Sequence, residues 1–167
     1  MTGVQTCALP IYHPSGTDRL AETVTQLGLP DDAVVVNLQG DEPLMPPELL
    51  HQVAELLEQN TEADMATLAT RIHTAAELFD PQVVKVICDS AGRALYFSRA
   101  VIPWDRDAFA VTTEELPEQA LHYRHLGIYA YRVGYLKSYV TLQSCELERM
   151  ESLEQLRVLW QDRKSVV

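Results

Sequence analysis

Two adjacent carboxylates, Asp41 and Glu42, follow an apolar run that ends in an amide and a glycine. The run, residues 34–38, is nearly all apolar and rich in β-branched side chains, as is typical of a strand buried on both faces. Ligands of open α/β sheets bind at the carboxyl ends of such strands, and carboxylate oxygens suit hard cations such as Mg²⁺. An isolated Asp-Glu pair is more simply a polar turn, but the position after this strand favours Asp41 as a metal ligand.

A second polar cluster lies at the start of a predicted helix, where Ser15, Gly16, Thr17 and Arg19 follow a His-Pro pair. Exposed backbone N–H groups and the helix dipole favour anions or polar base edges at such a position. Ser and Thr are also the ordinary capping residues of helices. The cluster taken alone therefore favours a helix cap over a ligand site.

Alternating residues of a predicted strand form a third candidate group. His125, Gly127, Tyr129 and Tyr131 share one face of that strand, which gives the face hydrogen-bonding groups suited to a polyhydroxylated ligand. A single histidine in a strand is more often a core residue with a satisfied side chain. With Tyr129 beside it, ligand contact and a core role are comparable interpretations of His125.

Two arginines and an acid-amide pair complete the candidates. Arg99 and Arg106 flank an Ile-Pro-Trp-Asp segment and would suit an acidic ligand, although pairing with nearby surface acids is the simpler interpretation. Glu154 and Gln155 are adjacent on a predicted helix between apolar positions. Helix faces of this composition are usually solvated.

The elements that position these residues alternate between amphipathic helices and apolar strands. Helices are predicted over 15–27, 46–60, 75–79, 134–142 and 147–161, strands over 33–39, 65–72, 83–88, 94–98 and 125–132, and a mobile loop over 103–118. This order predicts an α/β fold: a doubly wound, mostly parallel sheet with helices on both faces and an antiparallel hairpin insertion. A doubly wound fold normally begins with a strand, and we therefore expect that the first strand of the domain is missing from this chain.

Bulk composition limits the classes of function. The net charge of −11 over 167 residues excludes a basic nucleic-acid-binding surface. The three cysteines lack metal-ligand spacing, which indicates a reducing compartment, and no run approaches the roughly 20 apolar residues of a membrane span. We therefore expect a single soluble, cytoplasmic domain with no nucleic-acid partner and no membrane span.

Both ends of the chain differ in character from the rest. Residues 1–11 and 163–167 resemble translated adapter sequence and have no periodicity that fits the neighbouring helices. We interpret residues 12–162 as a partial domain and the two end segments as non-native.

Five strings, HPSGTDRLAE, VVVNLQGDEP, ALYFSRAVIPWDRD, HLGIYAYR and LEQLRVLW, occur in an order and spacing that resemble the 3-deoxy-manno-octulosonate cytidylyltransferases. The resemblance runs from about His13 to Trp160. It implies a fold like that of the nucleotide-diphospho-sugar transferases and an enzyme that transfers CMP from CTP to 3-deoxy-manno-octulosonate (Kdo). That reaction releases pyrophosphate and serves lipopolysaccharide synthesis. The resemblance also implies Mg²⁺ as cofactor, a cytoplasmic location and a homodimer for the full-length protein.

The resemblance further implies roles for individual residues. Asp41 would be the catalytic Mg²⁺ ligand, and Arg106 would bind the sugar carboxylate as a second catalytic residue. The Kdo site would consist of Gln39, Arg106, His125, Tyr129, Glu154 and Gln155. The nucleotide site would consist of Ser15, Gly16, Thr17 and Arg19.

Two features of the family are absent from this sequence: a first strand with an Arg- and Lys-rich loop that holds the CTP triphosphate, and a later Asp that shares the metal. We therefore expect this chain to bind CTP poorly, to lack turnover and to fold weakly alone. Three alternatives stay open: a cytidylyltransferase for another sugar acid of the sialic-acid type, a noncatalytic sugar-binding module, and a metal-dependent hydrolase that uses Asp41 and Glu42.

Overall fold

The computed structural model describes residues 13, 15–38, 45–117, 119–161 and 164–167. These residues form one six-stranded sheet with helices packed against it. The helices are α1 (Gly16–Gln26), α2 (Pro47–Gln59), α3 (Ala75–Phe79), α4 (Arg106–Phe109), α5 (Val133–Tyr139), α6 (Glu146–Glu151) and α7 (Gln155–Trp160). The strands are β1 (Val34–Leu38), β2 (Met65–Arg71), β3 (Lys85–Cys88), β4 (Ala94–Ser98), β5 (Tyr123–Arg132) and β6 (Ser165–Val166).

Local signals in the sequence account for the first two helices. The Ser15 side chain caps α1 by accepting a hydrogen bond from the backbone N–H of Asp18 at 3.2 Å. Gly28, with a φ of +61°, takes the left-handed conformation that follows the end of this helix. Pro47 opens α2, where the missing N–H of proline loses no helical hydrogen bond. The predicted helix starts are confirmed.

The two faces of the sheet carry separate clusters of buried side chains. On one face, Tyr129 and Tyr131 of β5 pack with buried residues of α1, α5 and α7. On the other face, Ile128 and Ala130 of the same strand pack with Val53 of α2 and its neighbours. The alternation of side chains along β5 therefore divides the core, and the prediction of an α/β fold with helices on both faces is confirmed.

Strand direction differs from the prediction of a mostly parallel sheet. β5 runs antiparallel to β1, β2 and β3, β3 and β4 form the predicted antiparallel hairpin, and β2 with β6 is the one parallel pair among the described strands. Alternation of helix and strand does give β1 and β2 the same direction. They are not paired with each other because β5 lies between them and runs the opposite way.

One edge of β5 is shared by two strands that do not meet. β1 ends where Leu38 pairs with Ile128, and β3 begins where Lys85 pairs with Arg124. Among the described residues, no strand pairs with the edge of β5 between these two positions, which leaves an opening beside it. This opening positions the candidate site.

Two further elements differ from expectation. The predicted helix over 147–161 is interrupted at Ser152, whose φ of 54° is left-handed and separates α6 from α7. The predicted loop over 103–118 contains the short helix α4.

Within the segment interpreted as non-native, β6 pairs with β2, so that interpretation stays a prediction. The longest described helix has 13 residues, and none in this part of the chain combines the length and hydropathy that a membrane span requires.

Candidate functional site

A cleft of about 780 Å³ occupies the opening beside β5. Its walls come from the start of α1, the end of β1, the face of β5 that carries the tyrosines, and the junction of α6 and α7. The polar residues that line it are Gly16, Thr17, Arg19, Asn37, Gln82, Arg99, Arg124, His125, Gly127, Tyr129, Tyr131, Tyr139, Ser152, Glu154 and Gln155.

The α1 wall and the α7 wall are joined by Thr17. Its hydroxyl donates a hydrogen bond of 2.7 Å to Oε2 of Glu154, although the two residues are 137 positions apart in the chain. The Thr17 side chain also lies within hydrogen-bonding reach of the Tyr131 side chain. Thr17 is only 5% exposed, so its hydroxyl holds Glu154 in place and is not free for a ligand.

Tyr129 and Tyr131 stay protonated and present phenol groups. Burial, followed by the nearby charge of Glu154, raises the pKa of Tyr129 above its ordinary value. Burial, followed by the neighbouring Tyr129, raises the pKa of Tyr131 well above its ordinary value. The two rings stack with centroids 5.7 Å apart. Tyr129 lines the cleft and can therefore donate a hydrogen bond to a ligand oxygen.

His125 is held in a fixed orientation on the same face of β5. Its ring packs against Phe97 and Tyr129, with centroids 5.1 and 5.2 Å away. Its Nε2 lies 2.8 Å from Oγ1 of Thr67. Burial lowers the pKa of His125 to about 3, so the imidazole is neutral at physiological pH.

Three arginines give the cleft a positive wall. Arg99 donates from Nε to the backbone oxygen of Glu151 at 2.7 Å and from Nη1 to the backbone oxygen of Pro81 at 3.1 Å. Arg124 lies 3.2 Å from the Glu77 carboxylate, and Arg19 is exposed on α1. The Arg99 guanidinium donates these hydrogen bonds to neutral carbonyl oxygens and not to a carboxylate. Its positive charge is therefore available to an anion in the cleft.

A sequence profile of the family described as Cytidylyltransferase matches residues 1–165. The chain belongs to the cytidylyltransferase family.

Three individual proteins illustrate the similarity. The 3-deoxy-manno-octulosonate cytidylyltransferase of Hahella chejuensis is 60% identical over 148 residues, which cover 89% of this chain and 58% of the relative. The protein of the same name from Pseudomonas fluorescens has the same identity and coverage. A solved structure of CMP:2-keto-3-deoxy-manno-octonic acid synthetase complexed with CTP is 38% identical, with a TM-score of 0.80, and the match covers 92% of this chain and 58% of that one. The chain therefore spans less than two thirds of the length of these cytidylyltransferases.

The structure brings most of the predicted site residues of this chain to one cleft. Arg106 is not among them: its side chain is 87% exposed and its Nε lies 2.8 Å from Asp107. Ser15 also lies off the cleft, because its side chain caps α1. Gln39 and Asp41 fall outside the described residues. The predicted residues that line the cleft are Gly16, Thr17, Arg19, His125, Tyr129, Glu154 and Gln155.

Sequence reasoning missed Asn37, Arg124 and Ser152 at the cleft. Asn37 was detectable, because it lies two positions before Gln39 and alternation places them on the same strand face. Arg124 was not, since it precedes His125 directly and both residues nevertheless line the opening. Ser152 lines the cleft because α6 ends there, and this end of the helix was not predicted.

No three His, Cys, Asp or Glu side chains of the described ranges come close enough to hold a metal ion. A metal site that includes Asp41, which lies outside these ranges, stays a prediction.

Proposed function

We propose that the protein containing this chain transfers CMP from CTP to Kdo and releases pyrophosphate. One observation in this member of the cytidylyltransferase family carries the proposal. The start of α1 lines the same cleft as a second group of polar side chains, which consists of His125, Tyr129, Glu154 and Gln155. The first group suits a nucleotide phosphate, because helix N-termini attract anions. The second suits a polyhydroxylated sugar. The names of the relatives support this pairing of substrates.

Each side chain of the cleft has a distinct part in this proposal. Tyr129 donates to a sugar oxygen, and Glu154, held by Thr17, accepts from a sugar hydroxyl. The amide of Gln155 can do both. Arg99 and Arg124 supply positive charge for the sugar carboxylate or the phosphates, in addition to the predicted role of Arg106. The residues act by alignment and by compensating charge, which are the requirements of nucleotidyl transfer.

In the reaction, the anomeric hydroxyl of Kdo loses its proton to the solvent, its oxygen bonds to the α-phosphorus of CTP, and the bond from that phosphorus to the pyrophosphate oxygen breaks. We propose Asp41 as a ligand of Mg²⁺, with Gln39 as a sugar contact beside it. When bound, the ion would neutralise negative charge on the phosphates. We also propose that the full-length protein is a cytoplasmic homodimer, which sedimentation velocity of an extended protein would test.

The test compares this chain with a form extended at both ends by the flanking segments of the Hahella chejuensis relative. Each protein is incubated with CTP, Mg²⁺ and either Kdo or a sialic acid, and pyrophosphate and the CMP-sugar are measured. We expect the extended form to produce CMP-Kdo and the 167-residue chain to produce none. CMP-sialic acid as the main product would establish the sialic-acid alternative, and Kdo binding without any CMP-sugar would establish the noncatalytic alternative.

A further inference from the structure

A buried threonine behind the cleft contacts His125. Thr67 of β2 is fully buried, and its Oγ1 lies 2.8 Å from His125 Nε2, 2.7 Å from the Ile128 carbonyl oxygen and 3.3 Å from the Leu126 carbonyl oxygen. The register between β2 and β5 shifts after Thr67, which pairs with Tyr129 while Leu68 pairs with Leu126. This bulge brings two carbonyls of β5 to one hydroxyl.

Counting protons at this hydroxyl fixes the direction of its hydrogen bonds. A carbonyl oxygen only accepts, so the 2.7 Å contact between Thr67 and Ile128 requires the hydroxyl proton. A threonine hydroxyl has one proton, and therefore Oγ1 turns a lone pair toward His125. The hydrogen bond between these two side chains then requires a proton on Nε2 of the imidazole.

The remaining ring nitrogen is consequently an acceptor. The imidazole is neutral because of its burial, so a proton on Nε2 leaves Nδ1 unprotonated. Nδ1 has no hydrogen-bond partner among the described residues, and it is not one of the buried unpaired atoms. Since His125 lines the cleft, this nitrogen is available there to a donor on a ligand.

We propose that Thr67 is a positioning residue that fixes His125 as the Nε2–H tautomer, so that Nδ1 accepts a hydrogen bond from a sugar hydroxyl in the cleft. The choice of a sugar hydroxyl rests on the proposed function, whereas the tautomer follows from the geometry alone. The arrangement selects a ligand with a hydroxyl at this point. A deoxy or methoxy sugar at the same position would leave Nδ1 without a donor.

The tautomer is tested directly by nitrogen-15 NMR of the imidazole in the 167-residue chain and in its extended form, with the His125 signals assigned by their loss in His125→Gln. We expect a protonated Nε2 and an unprotonated Nδ1 in the wild type and in Thr67→Ser, which keeps the hydroxyl. Thr67→Val removes the acceptor but keeps the shape, and we expect a mixture of tautomers. Thr70→Val is the matched control, because Thr70 is an exposed residue of the same strand. A wild-type Nδ1–H tautomer would overturn the proposal even if Thr67→Val failed to fold.

The consequence for binding is measured as Kdo affinity by calorimetry in the extended form. We expect Thr67→Val to weaken Kdo binding about tenfold, Thr67→Ser and Thr70→Val to stay within about twofold, and CTP affinity to stay unchanged. An altered tautomer with unchanged Kdo affinity would refute the contact between Nδ1 and the sugar. The predicted tautomers together with no Kdo binding in any variant would refute the proposed function while leaving the tautomer assignment intact.

Discussion

The helix pair α6–α7 beside the cleft and the segment that carries Arg106 hold their arginines in opposite ways. On α7, the side chain of Arg157 is 11% exposed, pairs with Glu148 and lies 4.5 Å above the centre of the Tyr139 ring. On α4, the side chain of Arg106 is 87% exposed and pairs with the equally exposed Asp107. One guanidinium is held between a buried carboxylate and an aromatic ring, and the other is held by a single surface partner.

The difference separates residues that shape the cleft from residues that are able to move toward a ligand. Arg157 pairs with Glu148 of α6, which ties α6 to α7 on either side of the junction that supplies Glu154. An exposed ion pair such as that of Arg106 contributes little to stability, because water and salt screen it. Arg106 is therefore free to change partners at little energetic cost. Its predicted contact with the sugar carboxylate requires such a change.

The largest expected effect comes from removing the buried arginine. We expect Arg157→Leu to lower the free energy of unfolding by about 3–5 kcal/mol, because it leaves Glu148 buried without its cation. Arg106→Leu is the matched control and should change that free energy by less than about 0.5 kcal/mol. Urea denaturation of both variants measures the difference. Equal effects of the two substitutions would contradict the distinction between the regions.

The same buried pair predicts how stability responds to acid. Burial would raise the pKa of Glu148, but hydrogen bonds and charge from Arg157 outweigh it and hold the pKa below its ordinary value of 4.5. The folded state therefore binds fewer protons at Glu148 than the unfolded state, and this stability is lost as pH falls from about 4.5 through the lower, folded value. Urea titrations at several pH values should show a shallower acid decline in Glu148→Gln, and a decline as steep as in the wild type would exclude Glu148 as its source.

Thr17 is expected to give an intermediate effect. Thr17→Val removes the donor to Glu154 and a hydrogen-bond partner of the buried Tyr131 phenol. We expect a loss of about 1–3 kcal/mol in the free energy of unfolding and weaker Kdo binding, whereas Thr17→Ser should keep both properties. If valine weakened CTP binding and left Kdo binding unchanged, Thr17 would be a nucleotide contact, as the sequence predicted, and not a support for Glu154.

Local patterns predicted the elements but not the contacts that interrupt them. The spacing of apolar residues from Leu147 onward predicts one continuous helix, yet the helix ends at Ser152. Immediately before the break, the Glu151 carboxylate accepts hydrogen bonds from Ser98 Oγ at 2.6 Å and from the Arg99 N–H at 2.9 Å. These partners lie more than 50 positions away, so no local pattern reveals them. The direction of β5 could not be predicted from local patterns for the same reason, because it depends on the strands between which β5 is inserted.

The candidate site was predictable where a motif fixes both residue type and strand face, as for His125 and Tyr129. It was less predictable where a side chain has two possible partners. Thr17 is the second residue of α1, a position where a hydroxyl can contact an anion or cap the helix. In the structure the hydroxyl instead donates a hydrogen bond to the carboxylate of Glu154 at the start of α7. Such a choice depends on tertiary neighbours, which the order of residues along the chain does not specify.

The smallest expected effect on stability, with a distinct effect on binding, comes from Gly127. Within the described part of the chain, no atom other than those of its sequence neighbours lies within 4 Å of the position that a Cβ would occupy there, and the residue lines the cleft. Gly127→Ala should therefore change the free energy of unfolding by less than about 0.5 kcal/mol, because the methyl group enters open space. The same methyl group takes volume from the ligand, and we expect Gly127→Val to weaken Kdo binding more than Gly127→Ala does. Calorimetry with both variants, beside urea denaturation, separates the two effects: Kdo affinity that stays constant from glycine to valine would place the sugar away from this stretch of β5.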